Sequence, residues 1–373
     1  MSYRSGAAIL ALIWFGAASA QAADPALSSP TLSQDMLIAG SKAEGGVLTF
    51  YTSITNTSNA AVAAAFENAF PWTKLEIVRK GGPILAQQFY AEKAAGIERV
   101  DVINSGAAEV YPDFRKKRFL ARIDNLPEYG ALRPIAKGPD GSYVAFLFIS
   151  EPMIWNTRLL SSDQIPDDLW AFASPTWKDK LASGNPITGG AAMNWYSWVC
   201  ECRKQAPPAG RPPSNLGTKW MNAMQRNDIL LPGEVGPLNN TIITGQRDLA
   251  VSQWMGSVVE AIKAGAPIDY KFPTQGTIGQ SWIAGINADA AHPYTARLFL
   301  NWLLSREGQI LLIELLGAHS ARADLDSAKY FPLQHGLIPF DKLWILDLES
   351  ITPADTKSFV DNVSVALTGK AAE

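Results

Sequence analysis

The sequence predicts an α/β protein of two lobes, each a mixed or parallel sheet flanked by helices. Three observations carry this. Residues 45–106 alternate strand and helix signals as β-α-β-α-β, the unit of a parallel sheet. The 373 residues suffice for two compact cores. Apolar runs at Tyr143–Ile149 and Met153–Trp155, and a return through Tyr270–Phe272, mark where the chain would cross between lobes and come back. The expected partition is 45–144 with 270–305 for the first lobe and 145–269 with 306–373 for the second.

The opening unit is read in order. Val47–Tyr51 is apolar, β-branched and aromatic after Gly45-Gly46, a buried strand. Val62, Ala65, Phe66 and Ala69 then recur at helical spacing. A second strand, Leu75–Val78, stops at Arg79-Lys80-Gly81-Gly82. Pro83 suits a first helical turn, Leu85 and Phe89 share a face, and Gly96 ends that helix. A third strand, Val100–Ile103, gives out into Asn104-Ser105-Gly106. Ligands of such sheets sit beyond the carboxyl ends of the strands. Three loops converge there, bringing Thr52, Ser53, Gly81, Gly82 and Ser105 forward as ligand contacts through close backbone approach. None carries a catalytic trio.

Beyond it, Pro112–Leu120 reads as a charged helix and Gly138–Gly141 as a turn. Asp167–Trp170 and Pro175–Lys180 are short helical or turn pieces, and Leu181–Ser183 is a short strand before a helix from about Ala192 to Arg203. The proline-rich stretch 204–213 is an exposed loop, and Leu216–Gln225 is a helix. A short helix finishes at Thr241–Arg247, and a strand at Asp248–Ser252 ends in Gln253-Trp254-Met255-Gly256. Helix Val258–Ala264 and strand Trp282–Ile286 follow. A helix over 291–304 has Pro293 in its first turn, and Ser305 caps another that stops at Gly317. The last fifty or so residues read as irregular structure and a terminal helix.

Composition bounds the function. A hydrophobic content of 47% and charged content of 18% describe a globular chain. Net charge −3 gives no reason to expect nucleic acid or an anionic membrane surface as a partner. Residues 1–22 read as a secretory signal: Arg4, the apolar run Ala7–Ala18, and a small-x-small site at Ala18-Ser19-Ala20 or Ala20-Gln21-Ala22. Residues 21 to about 40 are expected as a loose leader. Cys200 and Cys202 are the only cysteines, with no histidine near enough for zinc. They stay open between two thiols and a bridge strained by its one-residue gap.

Several stretches resemble one family. Val47–Ser53, Val78–Gly82, Ala91–Gly96 with Asp101-Val102, Pro175–Lys178 with Asn185-Pro186, and His292-Pro293 through Ser305–Gln309 stand in its order and spacing. The chain is similar there, over roughly 45–345, to periplasmic solute-binding proteins of ABC importers, extracellular solute-binding family 1, in the branch that includes ferric-ion-binding proteins. The resemblance implies the two-lobe type II periplasmic-binding-protein fold with ligand in the cleft, and hinged closure. It implies an exported periplasmic monomer that serves a membrane permease and does no chemistry, with no cofactor.

Two second-lobe candidates complete the expected site. Thr188-Gly189-Gly190-Ala191 opens a helix, where free amides and the dipole suit an anion. Trp254 ends a strand at about the place where ferric relatives carry adjacent tyrosines. Trp254 and Met255 are not the hard oxygen donors Fe³⁺ favours, and an indole suits an organic ligand, so no metal is expected. The expected solute is a small organic anion such as a carboxylate, phosphonate or phosphate ester. The alternatives are ferric ion with a synergistic anion, an exported enzyme, or a sensor module.

Overall fold

The computed structural model describes residues 25–186, 190–200, 215–233, 235–350 and 353–369. Helix α1 (Gln34–Ala43) comes first. The sequence expectation for this region was a loose leader. Ser33 instead caps the helix by accepting the Met36 N–H, and Leu37 is fully buried. Glu44 then accepts the Tyr294 and Thr295 N–H groups at a distant helix start. That long-range anchoring, rather than local periodicity, orders the segment.

The opening unit forms β1 (Val47–Thr52), α2 (Asn56–Ala69), β2 (Lys74–Arg79), α3 (Gly82–Ala95) and β3 (Val102–Ser105). β1 lies between β2 and β3, parallel to both, with Phe50 paired to Ile77 and Val102. Gly96 closes α3 in the left-handed conformation that glycine adopts without steric cost. The charged helix is α4 (Tyr111–Lys116).

All seven residues of β4 (Val144–Ser150) are buried, which matches a strand covered on both faces. β5 (Met153–Asn156) follows after only Glu151-Pro152, yet belongs to another sheet. The change of sheet therefore falls at Glu151-Pro152. β6 (Leu181–Ala182), α5 (Gly190–Cys200), α6 (Asn215–Arg226), α7 (Val235–Ile243), β7 (Leu249–Ala250), α8 (Met255–Lys263) and β8 (Ile268–Lys271) complete that second unit. Cys202, one of the two cysteines whose pairing the sequence leaves open, lies outside the described residues.

The chain returns through β9 (Thr277–Ile286), twice as long as its apolar half, Trp282–Ile286, suggests. Its first half carries Thr277, Gln280 and Ser281, which interrupt the apolar pattern. Next come α9 (Pro293–Leu304), α10 (Arg306–Leu316), β10 (His319–Ser320), β11 (Leu343–Trp344) and α11 (Pro353–Thr368). The larger sheet runs β10-β4-β9-β3-β1-β2 with β11 added to β9; the smaller runs β6-β7-β5-β8. Within 306–373, β10 pairs with β4 of the larger sheet, whereas α11 packs on α6 beside the smaller one.

Each sheet has its own aromatic core. Phe299 of α9 packs edge-on against Phe50 and Phe66, at 5.0 and 5.1 Å between ring centroids. Trp195 of α5 meets Trp220 of α6 at 5.8 Å. Among the described residues no helix is long and apolar enough to cross a membrane.

Candidate ligand cleft

The larger sheet presents the carboxyl ends of β1, β2 and β3 together, as the β-α-β-α-β reading requires. Their loops interlock. The Thr52 hydroxyl donates to Asn104 Oδ1 at 3.1 Å and accepts the Ile54 N–H. Ser53 Oγ accepts the Gly106 N–H at 2.8 Å. The Ser105 hydroxyl donates to the Gly82 carbonyl and accepts the Ala107 N–H. A Cβ on Gly82 would lie 2.6 Å from Ala107 N, so glycine is needed for this approach. Gly81 stands at the N-cap of α3 without a side-chain cap. Thr52 and Ser105 are fully buried, and their hydroxyls bind neighbouring loops.

Beside these loops stand Arg79 and Lys80, both exposed and without an ion pair among the described residues. The Arg79 Nε–H reaches the Ile54 carbonyl at 3.4 Å, and Lys80 Nζ donates to Gln88 Oε1 at 2.6 Å. They give this edge its positive charge.

The smaller sheet presents the carboxyl ends of parallel β6 and β7, the start of antiparallel β5, and α5. Gly190 is the first residue of α5; Thr188 and Gly189 lie outside the described residues, and Ala191 is the second residue of the helix. Glu151 is wholly buried and accepts from the Ser252 hydroxyl and, at 2.5 Å, from Gln280 Nε2. Burial pushes its carboxyl up to about 7, against the opposing pull of those two hydrogen bonds. The Thr277 hydroxyl also donates to the Glu151 carbonyl. Asn194 Nδ2 reaches Gln280 Oε1 at 3.5 Å. The cluster thus ties β9 of one sheet to the ligand edge of the other.

Trp254 sits where β7 gives way to α8. Its ring stacks on Trp282 of β9, 5.2 Å between centroids and 7° from parallel. One indole face is therefore taken by protein, and residue exposure is only 6%. Trp254 Nε1 is buried with no hydrogen-bond partner among the described residues. So are Ser150 Oγ, Ser183 Oγ, Tyr196 OH and Asn194 Oδ1. The Ser183 and Tyr196 hydroxyls lie close, yet complete no hydrogen bond of ordinary geometry. Trp195 and Tyr196 are both core residues of α5.

A further contact joins the two edges. Thr55, the N-cap of α2, and Ser58 in its first turn donate to Glu260 Oε1 of α8 at 2.7 and 3.1 Å. An acid at a helix N-terminus is favoured by the dipole. This sets the β1–α2 turn against the helix that Trp254 begins. Among the described residues no group of three or more His, Cys, Asp and Glu could hold a metal ion.

Glu151, Ser183, Asn194, Ser252, Gln280 and Trp282 were not foreseen as site residues, nor were Arg79 and Lys80. One signal was available. Glu151 is a lone acid between two apolar strands, where a charge needs a reason. The rest are common polar types whose convergence is tertiary.

Known proteins were compared next. A relative from Serratia marcescens, an Fe(3+)-binding periplasmic protein, is 22% identical over 242 residues, covering 63% of this chain and 67% of its own. The substrate binding protein of an ABC transporter from Agrobacterium tumefaciens superposes with TM-score 0.74 at 14% identity, over 87% of this chain and 96% of that one. The periplasmic binding protein AfuA of Actinobacillus pleuropneumoniae, solved with fructose-6-phosphate, gives 0.64 at 17%, over 86% and 96%. The fold is thus the two-lobe type II periplasmic-binding arrangement. Residues 61–331, most of the chain, match the bacterial extracellular solute-binding proteins, and the chain belongs to that family.

Proposed function

We propose that this protein is the periplasmic substrate-binding component of an ABC importer, and that it holds a small organic anion between the two sheet edges for delivery to the permease. A carboxylate, phosphonate or phosphate ester fits this reading. The observation that carries it is the asymmetry of charge. Arg79 and Lys80 stand beside the loop amides of the larger sheet with no acid paired to them among the described residues. The facing edge offers neutral groups: the Trp254 indole N–H, the Ser183 and Tyr196 hydroxyls, and the start of α5. Its acids are already engaged, Glu151 by Ser252 and Gln280, and Glu260 by Thr55 and Ser58. An anionic head would meet the cations and amides, and an organic body would lie towards the tryptophans.

The protein acts as a monomer and leaves its solute unchanged. A ferric reading keeps one specific support, the iron-binding name of the Serratia relative. A thermal-shift screen separates the two. Organic phosphates, phosphonates and carboxylates should raise the melting temperature, as a ligand that binds only the folded state contributes about 2.7 kcal/mol at a hundredfold excess over its Kd. Ferric citrate should give no visible charge-transfer band. A band with one-to-one binding would overturn the organic-anion reading in favour of iron.

A further inference from the structure

A cavity of about 400 Å³, none of whose lining residues was named for the cleft, adjoins β8, the edge strand of the smaller sheet. Its walls are aromatic and apolar. Trp155, Tyr270 and Phe272 form one side, and Leu337, Ile338 and Pro339, from the stretch before β11, form the other. Trp155 and Tyr270 are each 2% exposed, and the Tyr270 hydroxyl is fixed by donating to the Gly336 carbonyl at 2.9 Å. The aromatic wall is therefore set before any occupant arrives. The volume is that of a small-molecule site.

Its basic side chains are Lys271, Lys342 and His335, with no carboxylate among the lining residues. Lys271 pairs with Asp167 at 2.8 Å, and His335 Nε2 lies 3.0 Å from Asp269. Lys342 is exposed and has no ion pair among the described residues, which leaves one uncompensated positive charge at the rim. A Cβ on Gly276 would lie 2.4 Å from the Lys342 carbonyl, so the segment bearing Lys342 is held tight against the chain entering β9.

We propose that this cavity is a second ligand site, separate from the cleft, and that it takes a small aromatic monoanion of the arylcarboxylate or arylsulfonate class. Flat rings stack on aromatic walls, and a single negative group answers Lys342. The rim residues Phe272–Gly276 join the two sheets, so the occupant lies against a crossing segment.

Titration calorimetry with 2-naphthoate tests this, with 2-naphthol as the uncharged control. The whole mature protein should bind one naphthoate, and naphthol at least tenfold more weakly. Lys342→Ala should weaken naphthoate about tenfold and Lys342→Glu more, with circular dichroism unchanged because Lys342 is exposed. Arg79→Glu, which alters the cleft, should leave naphthoate binding as it was. Absence of saturable naphthoate binding would overturn the proposal, as would wild-type affinity in both Lys342 variants. Loss on Arg79→Glu with Lys342→Glu unaffected would assign the ligand to the cleft and equally refute a second site.

Discussion

The two ligand edges are built from similar small polar residues but differ in how those residues are satisfied. On the larger sheet Thr52, Ser53 and Ser105 spend their hydroxyls on one another's loops, so these three groups are engaged within the protein. On the smaller sheet Ser183, Asn194, Tyr196 and Trp254 each bury a polar atom with no partner among the described residues. An unmade hydrogen bond of that kind costs about 1–3 kcal/mol, a cost a native fold bears where something will later pair with the group. One edge therefore has these hydroxyls paired, and the other keeps polar atoms unpaired among the described residues.

Glu151 links the unsatisfied edge to β9. Glu151→Ala strands the Ser252 hydroxyl and the Gln280 amide, and should cost about 2–5 kcal/mol in denaturant unfolding. Glu151→Gln should fold, but with a different response to pH. The native carboxyl holds its proton up to about 7, against 4.5 as the unfolded reference, so acid favours the folded state. The stabilisation from this group is full below about pH 4.5, falls as pH rises towards 7, and is flat above, about 3 kcal/mol in all. The wild-type minus Gln difference in unfolding free energy should trace that slope. A flat difference would show Glu151 ionising as an ordinary exposed carboxyl does.

Gly190→Pro comes next. A proline suits a helix's first turn, so the fold should hold, while one amide is lost and close approach is blocked. Calorimetry with the anion chosen by thermal shift should show affinity down roughly tenfold to a hundredfold. Unchanged affinity in a folded protein would make this stretch only a helix start.

The smallest effects divide the two edges most cleanly. Thr52→Val removes a hydroxyl that both donates and accepts, and should cost about 1–2 kcal/mol of stability while changing affinity less than about twofold. Tyr196→Phe removes a buried hydroxyl with no partner, and should leave stability within about 0.5 kcal/mol or raise it slightly. If Tyr196→Phe destabilised as much as Thr52→Val, the second edge would be as fully paired as the first.

Much of the fold was legible because it is written locally. The run Val47–Tyr51, the Gly81-Gly82-Pro83 helix start and the Ser305 cap each signal their element within a few residues, and each stands as expected. Helix α1 and the first half of β9 were missed for one reason. Their order comes from Glu44 reaching α9 and from Glu151 reaching Gln280, partners that no window of sequence contains.

The amino-acid sequence by itself determined the alternation of strands and helices and the three convergent loops of the larger sheet, because periodicity, capping and glycine placement act over a turn or two of chain. Only the tertiary structure decided which polar groups are used up and which are left. Glu151 meets Ser252 across 101 residues and Gln280 across 129, and Trp254 stacks on Trp282 of β9 only once the chain has folded. Hydrogen-bond satisfaction is a property of neighbours in space, so the character of a site built from serine, asparagine, glutamine and tryptophan appears only once the chain has folded.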